Sequence, residues 1–270
     1  HLFHICIMIL EERAYIKMKF SKRMDLFGES IFTTLANMRS ERKKQGLEVI
    51  DLSIGAPNIP PTQEVMETIA KEAMKPENYL YAIKDSVDLQ NTVKEWYERR
   101  YGVTIDPETE MTSLLGSQDG LAHLALTLVD EGDIVLVQDP CYPIFRDGPL
   151  LAGAKVVTMP LLKENDYLID FDMINEKTAQ DAKYMIVSYP NNPTCGVAND
   201  EFYNKLIVFA KKYNIMVLHD NAYSELLFEG PGHSFLEFEG AKDVGIEFNS
   251  LSKTYGLAGC LLYTSPSPRD

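Results

Sequence analysis

From about Ser53 onward, apolar residues recur at two alternating spacings. Pro60-Pro61 leads into Val65, Ile69 and Ala73, one face of a helix opened by proline. Asp85 stands where it would cap a second helix carrying Leu89, Val93, Trp96 and Tyr97. A third helix is expected from Gly116-Ser117-Gln118, with Leu121, Leu124, Ala125 and Leu128 on one side. Five short apolar runs follow: Ile134 to Val137, Val156 to Met159, Tyr184 to Ser188, Ile215 to Leu218, and Val244 to Phe248. Runs without polar alternation predict strands buried on both faces, hence a mostly parallel α/β sheet with helices on either side. The helical pattern from about Asp200 to Tyr213 supplies the crossover that such a sheet needs.

In sheets of this kind ligands gather beyond the carboxyl ends of the strands. Four of the five runs deliver polar residues there: Asp139-Pro140-Cys141-Tyr142-Pro143, Tyr189-Pro190-Asn191-Asn192-Pro193, His219-Asp220-Asn221-Ala222-Tyr223 and Asn249-Ser250-Leu251-Ser252-Lys253. That concentration at one edge predicts a site.

Charge narrows the partners. The 270 residues carry a formal charge of −14, which disfavours nucleic acid and anionic lipid. Cys6, Cys141, Cys195 and Cys260 are scattered, with no C-x-x-C pair. That argues against a disulfide framework or a zinc site, and makes a reducing cytoplasm the simplest compartment. The opening apolar run, His1 to Leu10, is shorter than the roughly 20 residues that span a bilayer. It also lacks the cationic start and cleavage site of a secretory signal. Residues 1–17 are read as upstream sequence without a fold role.

Taken singly, the strand-end residues have ordinary readings. Lys253 is by default a solvated lysine, and Gly116-Ser117-Gln118 an ordinary helix cap. Asp220 can serve in a cap or salt bridge, Asn192 in a turn, and Tyr223 and Tyr142 in packing. The functional readings converge on one ligand. A lysine amine can form a Schiff base with a carbonyl cofactor. A buried aspartate can keep a pyridine nitrogen protonated, making the ring an electron sink. Asn192 and Tyr223 can donate to a phenolic oxygen, Tyr142 can stack on a ring, and the helix start can bind phosphate. Together these meet the demands of pyridoxal phosphate.

At these residues the chain resembles the fold type I, aspartate-aminotransferase-like pyridoxal-phosphate enzymes. The nearer likeness is to class I/II aminotransferases of the LL-diaminopimelate aminotransferase kind. The likeness runs from about Phe27 to Gly259. It rests on Ser53-Ile54-Gly55-Ala56-Pro57, Gly116-Ser117-Gln118-Asp119-Gly120, Asp139-Pro140-Cys141-Tyr142-Pro143, Tyr189-Pro190-Asn191-Asn192-Pro193-Thr194, Asp220-Asn221-Ala222-Tyr223 and Ser250-Leu251-Ser252-Lys253-Thr254-Tyr255.

The resemblance implies that Lys253 carries the cofactor and shuttles a proton at the substrate Cα. It implies that Asp220 pairs with the pyridine nitrogen, and Asn192 and Tyr223 with the phenolic oxygen. Ser117, Gln118 and Ser250 would hold the phosphate, and Tyr142 would stack on the ring. Gly55 would lie near the substrate carboxylate, and Tyr81 would reach the phosphate of a neighbouring subunit in a homodimer. The implied reaction passes an amino group between an amino acid and a 2-oxo acid. A carbon–sulfur β-lyase or decarboxylase on the same site is the alternative, and a pyridoxal-phosphate-sensing regulatory domain a more distant one.

Two departures stand out. The family usually has glycine directly after Asn-Pro-Thr; here Cys195 precedes Gly196. After Gly259 the family's aromatic-Arg-x-Gly step gives way to Cys260, Leu261 and a Ser-Pro-rich ending. The expected organisation is therefore an N-terminal arm with the start of a small-domain region over 18–55 and an incomplete cofactor-binding large domain over 56–259. Residues 260–270 are read as a foreign tail, with the C-terminal small domain missing and transamination by the chain alone correspondingly poor.

Overall fold

Each of the five apolar runs becomes a strand. In the computed structural model, which describes residues 19–52, 55 and 57–260, these are β1 (Ile134–Asp139), β2 (Lys155–Pro160), β3 (Ala182–Ser188), β4 (Met216–Asp220) and β5 (Gly245–Phe248). All pair in parallel, in the order β2-β1-β3-β4-β5. The proposed upstream segment 1–17, Ser53, Ile54 and Ala56 of the first motif, and residues 261–270 of the tail lie outside the described residues.

The chain divides into two units, His1–Ile54 and Gly55–Asp270. In the first, helix α1 (Ile31–Lys44) buries no residue, and Arg39 pairs with Asp51. The second holds the sheet and the helices α2 (Gln63–Ala73), α3 (Val87–Tyr101), α4 (Ser117–Leu128), α5 (Pro143–Ala152), α6 (Glu176–Asp181), α7 (Asp200–Tyr213) and α8 (Leu251–Thr254).

Apolar runs without alternation arise because both sheet faces are covered. Leu136, Met185, Val187 and Val217 pack against Phe202, Leu206 and Ala210 of α7. Their strand neighbours Val135, Val137, Tyr184, Ile186 and Leu218 pack with Leu121 of α4 and Phe145 of α5 on the other side. Chain order reverses at β1, with β2 on one side of it and β3 on the other. α5 and α7 lie on opposite faces of the sheet, and in sheets of this kind ligands bind at the carboxyl ends of the strands where the order reverses.

Helix ends follow local chemistry. Asp85 does not cap α3 as expected. Ser86 does, its Oγ accepting from Leu89 N at 3.2 Å, while the Asp85 carboxylate accepts from Ser113 N at 2.8 Å and from the Ser113 hydroxyl. The two residues are adjacent and both are good caps, so the tertiary demand of Ser113 decides between them. Helix α5 was hidden in the sequence by Pro143, Gly148 and Pro149. Pro143 starts it, where a missing N–H costs nothing, and Gly148 brings α5 close to Leu121 and Ala122 of α4.

Gly245 opens β5 opposite Val217, where an added Cβ would meet the Val217 carbonyl at 2.9 Å and the Phe235 ring at 2.4 Å. Backbone cannot yield as a side chain can. The Gly245→Ala variant is expected to lose about 1–3 kcal/mol of stability, read as a lowered denaturant midpoint.

Candidate functional site

The carboxyl ends of β3, β4 and β5 bring most of the sequence-predicted residues together. Asp220 is the last residue of β4 and 6% exposed. Its Oδ1 accepts one backbone hydrogen bond, from Ala222 N at 3.2 Å. Burial pushes its carboxyl up from the ordinary 3.8 to about 6, against the attraction of His219 and Lys253. Lys253 lies on α8, capped by the buried Ser250, whose Oγ accepts from Ser252 N at 3.1 Å. Its Nζ donates to the Gly55 carbonyl at 2.7 Å and sits 5.7 Å from the centre of the Tyr223 ring. Partial burial lowers the Lys253 pKa, and the nearby Asp220 charge opposes that shift. An amine held this way is readier to act as a nucleophile or base than one in water.

Three further groups surround this pair. Asn192 Nδ2 donates to Tyr223 Oη at a long 3.5 Å. Tyr223 and Tyr142 are both held above the usual phenol range, by burial first and by the Asp220 charge second. Tyr142 Oη donates to Gln118 Oε1 at 3.0 Å, joining the segment after β1 to the start of α4. There Gly116, at φ +80°, serves as N-cap without any side-chain hydrogen bond, so the first N–H groups of α4, those of Ser117 and Gln118, are left uncapped by any side chain. A Cβ on Gly55 would stand 3.5 Å from Tyr223 Oη. Tyr81, 87% exposed, joins the group through no hydrogen bond or ring contact among the described residues.

Behind the turn bearing Asn192 lies a support that the sequence did not announce. Gln138, fully buried on β1, accepts from Ser188 N at 2.8 Å and from Asn191 Nδ2 at 3.3 Å through Oε1. Asn191 Oδ1 in turn accepts from Thr194 N at 3.2 Å and Thr194 Oγ1 at 2.8 Å. The departure at Cys195 has a backbone consequence: it adopts φ +60°. Gly196 next to it meets a different demand, since a Cβ there would lie 3.2 Å from Asp166 O and Tyr167 Cβ. Glycine suits both positions and occupies one. Cys195→Gly should therefore stabilise the protein by about 0.5–1 kcal/mol, after the entropic cost of glycine, in a denaturant titration.

The arrangement fits pyridoxal phosphate on a physical ground. Asp220 is a buried carboxylate with one weak backbone donor, a costly state that a protonated ring nitrogen would relieve. The linkage has a defined sign. With its pKa raised on folding, the stability drawn from Asp220 is present below about pH 4 and lost as pH rises through about 6. In the cofactor-free protein, Asp220→Asn should thus gain up to about 3 kcal/mol over wild type near pH 7.5, and nothing near pH 4. Denaturation curves that run parallel at both pH values would refute the assignment of this buried charge.

Among the described residues, no cluster of three or more His, Cys, Asp or Glu is placed to hold a metal, and no helix is long and apolar enough to cross a membrane. A family model for aminotransferase class I and II matches residues 48–267. The LL-diaminopimelate aminotransferase of Aquifex aeolicus is 43% identical over 243 residues, covering 89% of this chain and 63% of that protein. Among solved structures, apo-BacF from Bacillus subtilis matches with TM-score 0.83 and 37% identity, over 90% of this chain and 63% of that one. A probable N-succinyldiaminopimelate aminotransferase from Thermus thermophilus matches with TM-score 0.81 and 35% identity, over 85% and 62% respectively. The chain thus spans under two thirds of the length of these relatives. It belongs to the class I and II aminotransferases, a pyridoxal-phosphate-dependent family.

Proposed function

We propose that this chain holds pyridoxal phosphate on Lys253 and serves the transfer of an amino group between an amino acid and a 2-oxo acid. The observation that carries the reading is the pairing of a desolvated lysine with a buried, under-satisfied aspartate at the ends of adjacent strands. Bound there, the cofactor supplies a ring that withdraws electrons from the substrate Cα.

The rest falls to the protein. With the cofactor bound, Lys253 Nζ would be the group that moves the proton at the substrate Cα, helped by a pKa that burial has lowered. Asp220 holds a proton on the ring nitrogen. Asn192 Nδ2 and Tyr223 Oη, already adjacent, turn their donors to the phenolic oxygen. Ser117 and Gln118 at the uncapped start of α4, with Ser250, receive the phosphate. Tyr142, anchored through Gln118, covers one ring face. The Gly55 backbone lies near the substrate carboxylate.

Residues 56–259 are read as the cofactor-binding domain. The exposed Tyr81, flanked by exposed Leu80 and Ile83, is assigned to the phosphate of a second subunit in a homodimer. Because the Aquifex aeolicus relative is an LL-diaminopimelate aminotransferase, a diamino dicarboxylic acid is the first amino donor to test. The scattered cysteines support a reducing cytoplasm as the location.

The test begins with cofactor attachment. Protein mixed with pyridoxal phosphate should gain a visible absorption band, and borohydride should fix the cofactor covalently on the peptide containing Lys253. A Lys253→Ala variant that keeps the band, or label found on another lysine, would refute the reading.

A further inference from the structure

Glu247 stands six residues before Lys253 and directly across from His219, which precedes Asp220. The side chains of His219 and Glu247 are both fully buried, with His219 Nδ1 3.1 Å from Glu247 Oε2. A carboxylate only accepts, so Nδ1 carries the proton of this contact. Three more donors converge on the same carboxylate. Tyr97 Oη of α3 donates to Oε1 at 2.8 Å, Ser234 Oγ to Oε1 at 2.9 Å, and Phe235 N to Oε2 at 2.7 Å. On its far side, His219 Nε2 lies 3.4 Å from the hydroxyl of buried Tyr203 on α7.

Successive residues of a strand point to opposite faces. Asp220 meets the site on one face of the sheet end, and His219 grips the strand from the other. The strand bearing Asp220 is thereby fixed to the strand that runs on into Ser250 and Lys253. Backbone pairing contributes along the same seam, Asn221 N donating to Phe248 O at 2.8 Å. Backbone bonds set the spacing of the strands; the His219–Glu247 pair resists sliding and twisting of their last residues. A ring held at its nitrogen by one strand and at its carbonyl carbon by the other is sensitive to such movement.

We infer that His219 and Glu247 are positioning residues that set the placement of Asp220 relative to Lys253. This rests on the cofactor reading above. Neither residue touches the cofactor; both act through the strand ends.

The experiment measures, in the full chain, the share of bound pyridoxal phosphate that borohydride fixes to Lys253, beside the melting temperature. Wild type sets the reference. His219→Leu removes the donor and should lower the fixed share of bound cofactor by about tenfold. His219→Asn, which keeps an N–H near the Nδ1 position, should recover most of it. Ser234→Ala deletes another donor to the same carboxylate without touching β4. It should lower the melting temperature while leaving the fixed share at the wild-type level.

A folded His219→Leu protein with a wild-type fixed share overturns the inference. So does equal loss in the leucine and alanine variants, which would mean stability alone is at work. Should the leucine variant not fold, His219→Phe decides, because it keeps a ring in the same place while losing the Nδ1 donor to Glu247; an undiminished share there overturns the inference as well. A wild-type chain that fixes no cofactor at Lys253 overturns the cofactor reading, and this inference with it.

Discussion

The constraint on which this molecule turns is a carboxylate kept out of water at the end of a strand buried on both faces. Asp220 can occupy that place only because β4 is an interior strand, flanked by β3 and β5 and covered on either side. The same arrangement denies it the solvent that would hold its charge and raises its pKa to about 6. The Lys253 amine, itself partly desolvated, pulls the other way. The sheet thus produces two poised groups as a consequence of how it is covered, and the topology carries the chemistry with it.

Much of this was legible in the sequence because burial on both faces leaves a clear mark. All five strands fall within two residues of the apolar runs, and α7 covers the expected Asp200 to Tyr213. The strand-end positions of Asn192, Asp220, Tyr223 and Lys253 follow directly from those runs. What escaped reading depends on contacts between distant segments. Asp85 and Ser86 are equivalent as caps until Ser113 claims Asp85. Pro149 inside α5 argues against a helix unless its neighbours can cover for the missing donor. Gln138 reads as one polar residue in an apolar strand; its hold on Asn191 needs the turn after β3 to be in place. The partnership of His219 with Glu247 needs the register of β4 on β5, which no local pattern specifies.

Those same two strands hold two buried carboxylates in very different states, and the difference sorts their roles. Glu247 accepts four hydrogen bonds from three separate segments: β4, α3, and the adjacent Ser234 side chain and Phe235 backbone. Its desolvation is met in full by the protein, which is how a structural buried charge persists. Asp220, one residue from Glu247's partner, accepts a single bond at 3.2 Å from its own local backbone. A fold able to saturate one carboxylate so thoroughly leaves its neighbour in want of a donor, on the face where Lys253, Tyr223 and the uncapped start of α4 converge. A carboxylate left short of donors beside a partly desolvated lysine suits a place kept for a ligand, with the saturated pair behind it holding that place in shape.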